Sequence, residues 1–435
     1  MIDQRGQTTS YVYNADSWLL STTLPDPDGA SGDAYFVGAN LPAPVTTLGY
    51  DANGWLRTQD DLGPSGSTLR TTYNRDALGR VSSVVAPQAG SDSGATATTN
   101  YKYDAISRPT VITDTQNNDT NYYYNTAART VTVLQPDRDG PVGPYQATVT
   151  VSTYDKVGNL TQLADAANNV TQFAYDRLNR LTTETDPFGK PLKYEYDFAG
   201  NLTAKVDRVG TGRRTEYTYD NLDRVTKELW KAQNGNAIHS VQYAYDTAGR
   251  LDLVKELRGS QSGTPLLEYD YAYDNLNRIT NVADTANTAA NVNTNQAPAA
   301  LAVNIYETYK TTGDLKQAFA KIGSVADYSN VYSYDSLGRL MQVVQRQFTT
   351  AEQTTYGATS TNTFTRKRAN IAYNAAGDFS KIIRMSGASG SETETATSVY
   401  SYFAGGGLKQ IDHWHSGLTA ANTAPLLLGT PINSY

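Results

Sequence analysis

The sequence predicts an all-β protein built from repeated antiparallel β-hairpins. Three observations lead to this prediction: a nine-residue motif recurs along the chain, a second turn signal lies about half a repeat away from it, and short runs rich in Thr, Val, Tyr and Leu separate the two. The motif also explains why 32 tyrosines stand against 9 phenylalanines and 4 tryptophans. Self-similarity at a short period is typical of a repeat architecture.

The motif reads Tyr-x-Tyr-Asp-x-x-Gly/Asn-Arg/Asn-Leu and is clearest from Tyr194 to Leu202. We call its second tyrosine the anchor. Fifteen units are present, and the anchors are 21 to 39 residues apart, so that the longer spacings indicate inserted loops. The anchor positions are Tyr13, Tyr50, Arg75 (which replaces the tyrosine), Tyr103, Tyr124, Tyr154, Tyr175, Tyr196, Tyr219, Tyr245, Tyr273, Tyr309, Tyr334, Tyr373 and Tyr402.

Two turn signals in each unit predict a hairpin. The motif supplies the first, because Asp, Asn and Gly bond to their own backbone or accept a positive φ. The second is an Asp ten residues before the anchor with Gly or Asn three residues later, as in Asp186–Gly189. The segment Leu181–Thr185 between these signals is rich in residues that favour strands. Tyr194 and Tyr196 are two apart, so we expect them on one face of a strand.

Fifteen hairpins supply about thirty strands, and a continuous ribbon of them would extend roughly 140 Å across its strands. A sheet of this breadth tends to curl, and a barrel much wider than eight strands encloses space. The sequence therefore predicts a hollow shell or a spiral ribbon, and leaves open whether the ribbon closes. Because one repeat runs through 1–435, we predict a single domain with low-complexity loops near 25–47, 283–302 and 349–363.

Composition argues against several classes of protein. The chain carries 36 Lys and Arg against 43 Asp and Glu, a net charge of −7, which disfavours nucleic acid as a partner. It has no apolar run long enough for a membrane span and no visible signal peptide. The absence of cysteine favours a bacterial source but does not separate the cytosol from the exterior.

The repeated polar residues allow a functional and a structural interpretation. The aspartate that follows most anchors could form a cation ladder, but one carboxylate per turn supplies too few oxygens for calcium, so a turn-forming role is favoured. The recurrent arginines could neutralise an acidic ligand, although pairing with the turn aspartates or covering tyrosine faces is favoured. The aspartates are Asp104, Asp155, Asp176, Asp197, Asp220, Asp246, Asp274 and Asp335. The arginines are Arg80, Arg180, Arg224, Arg250, Arg278 and Arg339.

Tyrosine and histidine are the remaining candidates for a site. The anchor tyrosines could stack on sugars, but packing between neighbouring hairpins is favoured. His413 and His415 would share one face of a strand, and His239 stands alone, without further ligands near by for a metal. No nucleophile, phosphate loop or metal-protease motif is present. We therefore predict no catalytic, cofactor-binding or metal-binding residues and no cofactor.

The motif from Tyr243 to Leu251 resembles the RHS or YD repeat, and the turn at 186–189 resembles the second turn of that family. The family includes bacterial Rhs toxins, B and C subunits of ABC toxins, wall-associated proteins and teneurins. The resemblance implies a strip of β-hairpins that spirals into a hollow cocoon, which in the toxins encloses a C-terminal effector. Self-processing members carry a Pro-x4-Asp-Pro-x-Gly core near the end of the shell. Here Asp26-Pro27 and Asp186-Pro187 match only parts of it, so no protease function is carried over.

The resemblance implies a non-enzymatic shell segment of a secreted or cell-surface protein, belonging to a longer chain. Its expected partner is a C-terminal toxin or effector polypeptide, or other toxin-complex subunits. The alternative is an adhesive or fibre-forming surface protein that self-associates through exposed β edges or binds glycans through Tyr, Thr and Asn faces. A hydrolase with its site on an insert is a weaker third interpretation.

Overall fold

The computed structural model describes residues 1–4, 6–27, 41–88, 94–137, 147–208, 212–258, 265–284, 303–361 and 365–415. These residues form 31 β-strands and one short α-helix, which confirms the all-β class and the repeated hairpins. Most strand residues are half-buried, and large buried apolar side chains are few. The described strands therefore form no strongly apolar face.

The strand bounds follow the motif. Strands β1 to β10 are Ser10–Tyr13, Leu19–Thr23, Val45–Tyr50, Leu56–Leu62, Thr68–Arg75, Val81–Pro87, Thr96–Tyr103, Pro109–Thr113, Asp119–Asn125 and Thr130–Leu134. Strands β11 to β20 are Val149–Tyr154, Leu160–Ala164, Val170–Tyr175, Leu181–Thr185, Pro191–Tyr196, Leu202–Val206, Arg214–Tyr219, Val225–Lys231, Ala237–Tyr245 and Leu251–Arg258. Strands β21 to β31 are Leu267–Tyr273, Ile279–Asp284, Val303–Tyr309, Leu315–Ile322, Val325–Tyr334, Leu340–Arg346, Ser360–Thr361, Lys367–Tyr373, Phe379–Ser386, Thr393–Tyr402 and Leu408–His415.

Almost every anchor is the last residue of its strand, and the motif turn that follows leads to the next strand. Tyr124 is the exception, since β9 continues to Asn125. Nearly all described pairings join strands that are consecutive in the chain and antiparallel. Around β27 the order changes: β26 pairs with β28, and β27 runs parallel to β25.

A β-bulge accompanies most anchors and fixes the register of each hairpin. In β13 and β14, Ala174 pairs with Thr183 and Tyr175 pairs with Leu181, so Thr182 is the extra residue. The Thr182 hydroxyl donates to the Ala174 carbonyl at 3.1 Å. The bulge increases the local twist of the strands, and its recurrence gives successive hairpins the same geometry.

The chain separates into two compact units, Met1–Tyr101 with Tyr306–Tyr435 (unit 1) and Lys102–Ile305 (unit 2). The single domain over 1–435 stays a prediction. Of the predicted loops, residues 45–47 belong to β3 and 283–284 to β22, while 28–40 and 285–302 lie outside the described residues.

The loop expected over 349–363 was wrong for its first half, which forms the helix α1 (Thr350–Tyr356). Thr349 caps the helix in a capping box with Glu352, and Gly357 ends it with φ 64°. Tyr356 packs on Phe319 with ring centroids 4.4 Å apart, and Phe319 is fully buried. The helix covers this apolar cluster, to which Phe348 also belongs.

Candidate functional site

The motif turn, from the Asp after the anchor to the Arg or Asn four residues later, is the most regular feature of the structure. In the turn 220–224, the Asp220 N–H donates to the carbonyl of Arg224 at 2.9 Å. One Asp220 carboxylate oxygen accepts the backbone N–H groups of Leu222 and Arg224 at 2.9 and 3.1 Å. Asp223 adopts φ 58°, the left-handed conformation for which Gly or Asn stands in other units. The aspartate therefore builds the turn, as the favoured interpretation predicted.

The arginine of the turn pairs with the aspartate of the same turn. Arg224 Nε donates to the second carboxylate oxygen of Asp220 at 2.7 Å. The same (i, i+4) ion pair is formed by Arg80, Arg108, Arg180, Arg250, Arg278 and Arg339. The pairing predicted for the recurrent arginines is confirmed in all of the units for which it was proposed, and Arg108 adds a further case.

These contacts lower the pKa of the turn carboxyls. For Asp220 the hydrogen bond from Arg224 is the main cause, and it outweighs the opposing effect of desolvation on the pKa. The pKa lies below its ordinary value for Asp76, Asp104, Asp155, Asp165, Asp176, Asp197, Asp220, Asp246 and Asp274. Each of these carboxylates is used within its own turn.

The anchor tyrosine joins one hairpin to the hairpin before it. The Tyr245 hydroxyl donates to the carbonyl of Val225 at 2.8 Å, where Val225 begins the second strand of the preceding hairpin. The same bond, at 2.7 to 2.9 Å, is made by Tyr124, Tyr175, Tyr196, Tyr219, Tyr273, Tyr373 and Tyr402. Packing between neighbouring hairpins, predicted for these tyrosines, is therefore present, and the hydroxyl bond adds to it.

The arginine also covers the ring of the next anchor. The guanidinium carbon of Arg224 lies 4.2 Å from the ring centroid of Tyr245. Equivalent pairs join Arg108 to Tyr124, Arg180 to Tyr196, Arg250 to Tyr273 and Arg339 to Tyr373. One arginine thus connects its own turn aspartate to the tyrosine of the next hairpin. A tyrosine face covered in this way is not open to a stacked sugar.

The three histidines lie in two separate places. His413 and His415 share a strand face, as predicted, with ring centroids 5.0 Å apart, and His413 Nδ1 lies 2.8 Å from the Ser398 hydroxyl. His239 packs 4.7 Å from Trp230, and its Nε2 lies 3.3 Å from Glu256. Within the described ranges, no three His, Cys, Asp or Glu side chains are grouped so that they could hold a metal ion.

The two Asp-Pro sequences differ in their setting. Asp186 begins a turn in which its carboxylate accepts the N–H groups of Phe188 and Lys190 at 3.0 and 2.9 Å, as at an ordinary second turn of the repeat. The carbonyls of Asp26 and Pro27 accept hydrogen bonds from Ser336, 310 positions along the chain from Asp26. Residues 28 and 29 lie outside the described part of the chain.

None of the helices in the described ranges is long and apolar enough to cross a membrane. Sequence reasoning did not anticipate two parts of this arrangement, the carbonyl partner of the anchor hydroxyl and the helix α1. The spacing of the anchors does not indicate which carbonyl the anchor hydroxyl bonds to. The helix α1 could have been predicted from Thr349-x-x-Glu352, which has the spacing of a capping box.

Comparison with solved structures gives weak global similarities. The crystal structure of TcdB2-TccC3-Cdc42 matches with 13% identity and a TM-score of 0.37, covering 97% of this chain and 28% of that chain. The Tc holotoxin pore of Photorhabdus luminescens matches with 12% identity and a TM-score of 0.35, covering 100% of this chain and 28% of that one. This chain thus spans about 28% of the length of both, and at these TM-scores neither similarity decides its fold or function.

A search of curated proteins finds no match to this chain. Comparison with models of protein families gives a more specific result. The family model for the RHS repeat matches residues 50–91 and 154–191. The described parts of both regions contain hairpins with the motif turns and bulges given above. The chain thus contains RHS repeats in these two regions, which confirms there the resemblance seen in its sequence.

Proposed function

We propose that this chain is a non-enzymatic wall segment of a bacterial shell that encloses or carries a polypeptide effector. The observation that supports the proposal is that the repeated Asp, Arg and Tyr residues of the motif all have structural contacts. In the motif turns, Asp closes the turn, Arg pairs with it, and the anchor Tyr bonds to the preceding hairpin. Residues that could have formed a site are used instead to join hairpins into a continuous wall.

The composition supports the same proposal. Large buried side chains are few among the described residues, and strand residues are mostly half-buried. A wall with polar groups on both faces can lie between water and a polypeptide without a specific ligand site. Such a wall would protect the enclosed polypeptide sterically, since a protease cannot reach a polypeptide that lies behind a sheet. We further propose that the protein works outside the cytoplasm, as a secreted or cell-surface protein.

Protection from proteolysis tests the proposal. The full-length protein encoded by the gene would be digested with trypsin under native conditions, and the segments flanking residues 1–435 would be followed by mass spectrometry. Those segments should be cleaved far more slowly than the same segments expressed alone. Equal cleavage rates, or a gene that encodes no further polypeptide beside this one, would contradict a carrier role.

The non-enzymatic part of the proposal has its own test. We expect the intact mass of the purified chain, 47.3 kDa, to stay constant during long incubation near neutral pH. Near-neutral buffer avoids acid hydrolysis of Asp-Pro bonds. A discrete cut after Asp26 or Asp186 that Asp→Asn substitution abolishes would show that the protein processes itself.

A further inference from the structure

The motif turns of unit 2 present a row of exposed apolar side chains along one edge of the ribbon. The third residue of a turn, here called the tip residue, is apolar in most units. The tip residues Ile106, Val157, Leu178, Leu222 and Leu276 are 64–71% exposed. Because antiparallel strands alternate in direction, motif turns gather on one edge of the ribbon and the second turns on the other. We call these the motif edge and the far edge.

Several motif turns of unit 2 also leave one backbone donor unused. The first and third N–H groups of the turn bond to the turn itself, whereas the second points away from it. Among the described residues, the second N–H groups of Arg177, Asn221 and Asn275 have no hydrogen-bond partner. The motif edge of unit 2 therefore repeats one element, an apolar tip beside a free N–H donor.

Unit 1 shows what covers such an edge. In the turn 335–339, the second N–H, that of Ser336, donates to the carbonyl of Pro27 at 3.3 Å, and its hydroxyl donates to the carbonyl of Asp26. The tip residue Leu337 is half-buried and lines a cavity of about 390 Å³ with Leu24 and Pro25. The Asp335 side chain is 5% exposed, against 20–27% for most paired aspartates of other motif turns.

Two other motif turns of unit 1 also lie close to a distant stretch of the chain. A Cβ placed on Gly313 would lie 3.3 Å from Gln4 Oε1, and one on Gly406 would lie 3.7 Å from Leu69 Cδ1. Gln4, Pro27 and Leu69 all lie in or next to second turns of the repeat. In unit 1, the motif turns 310–314, 335–339 and 403–407 thus each lie against a second turn, or a residue next to one, in another stretch of the same repeat, whereas Leu78 in the turn 76–80 is 69% exposed.

Unit 2 has an exposed far edge of its own. It includes the second turns 114–118, 165–169 and 186–190, and Phe188 at the tip of the third is 87% exposed. The sequence Asp186-Pro187 in this turn repeats the Asp26-Pro27 sequence whose carbonyls contact Ser336 in unit 1. One copy of the chain therefore offers both halves of the contact seen in unit 1.

We propose that the motif edge of unit 2 binds the far edge of unit 2 in a second copy of this chain. Leu178, Leu222 and Leu276 would pack against the second-turn residues of that copy, and the free N–H groups would donate to its carbonyls. The contact joins two different surfaces, so it is head-to-tail and each dimer keeps one free edge of each kind. The wall proposed above does not require this association, which goes beyond it.

Sedimentation equilibrium of the full chain tests the proposal with single-edge variants. The motif-edge variant carries Leu178→Glu, Leu222→Glu and Leu276→Glu, and the far-edge variant carries Ala167→Glu, Phe188→Glu and Gln233→Glu. All six side chains are exposed, so the fold should be retained, and circular dichroism checks this. The control adds the same three charges to strand positions, as Tyr123→Glu, Leu163→Glu and Ile238→Glu.

The expected results distinguish a head-to-tail contact from any other. The weight-average mass of the wild type and of the control should rise above 47.3 kDa with concentration. Each edge variant alone should stay at the monomer mass, while an equimolar mixture of the two should give a dimer and nothing larger. A monomeric wild type at hundreds of micromolar, or a mixture that remains monomeric, would overturn the proposal. So would loss of association in the control.

Discussion

The hydroxyl of Tyr219 donates a hydrogen bond to the carbonyl oxygen of Leu202 at 2.8 Å and so joins two hairpins that are consecutive in the chain. Burial raises the pKa of the Tyr219 phenol above its ordinary value, as expected for a hydroxyl held between strands. A tyrosine in this position contributes a ring that packs and a donor that satisfies a backbone group. The repeat uses tyrosine rather than phenylalanine for that reason.

The contact between Arg224 and Tyr245 should be measurable as a coupling energy. We predict that a double-mutant cycle of Arg224→Gln and Tyr245→Leu gives about 0.5–1 kcal/mol of favourable coupling at low salt, from the stacked cation. The measurement is urea denaturation of the four proteins. A matched control is the cycle of Asn201→Ala and Tyr219→Leu, because the turn before Tyr219 has asparagine in place of arginine. Equal coupling in the two cycles would contradict a role for the guanidinium.

The turn aspartates should make stability depend on pH in the acid range. The folded-state pKa of Asp220 lies below its unfolded value, so its contribution is fully present above the unfolded pKa of about 3.9. That contribution is lost as the pH falls through the lower folded-state pKa. We expect the urea concentration at the unfolding midpoint to decrease when the pH is lowered below about 4. Asp220→Asn should make this midpoint less dependent on pH. Asn221→Ala, at an exposed and non-titrating position of the same turn, should leave the pH dependence unchanged.

Glu352 should hold the helix α1 on the sheet. Burial opposes its ionisation, but hydrogen bonds from Arg346, the Thr349 N–H and Gln317 outweigh this effect and lower its pKa to about 2. We predict that Glu352→Gln lowers the free energy of unfolding by about 1–2 kcal/mol at pH 7, through the lost cap and ion pair. Since the folded-state pKa is depressed, the wild-type advantage should be complete above pH 4.5 and vanish as the pH falls through about 2.

Two measurements check the helix prediction. Chemical denaturation gives the stability difference, and near-ultraviolet circular dichroism reports the packing of Tyr356 on Phe319. The exposed helix residue Thr354 provides the control, and Thr354→Ala should have little effect on either signal. A Glu352→Gln variant as stable as the wild type at pH 7 would show that the capping box does not anchor the helix.

Much of the local structure could be predicted because the motif encodes it within nine residues. The anchors end their strands, and Asp220, Asp223 and Arg224 behave as turn residues should. The partner of the anchor hydroxyl could not be predicted, because it is a backbone carbonyl and any residue type supplies one. The contact between Pro27 and Ser336 could not be predicted either, since more than 300 residues separate its partners. The helix α1 lies in a segment whose low-complexity composition predicts a loop, although Thr349-x-x-Glu352 has the spacing of a capping box.

The central claim is that the anchor tyrosines belong to the wall and not to a ligand site. Single substitutions of Tyr196, Tyr219 and Tyr245 to Phe and to Ala test it most directly, by urea denaturation read beside glycan-array binding. We predict a loss of about 1 kcal/mol for each Phe variant, since the hydroxyl is bonded, and about 2–4 kcal/mol for each Ala variant. The control Tyr123→Phe should cost nothing, because Tyr123 is exposed. Unchanged stability in the Ala variants, together with loss of binding to a sugar, would contradict the claim.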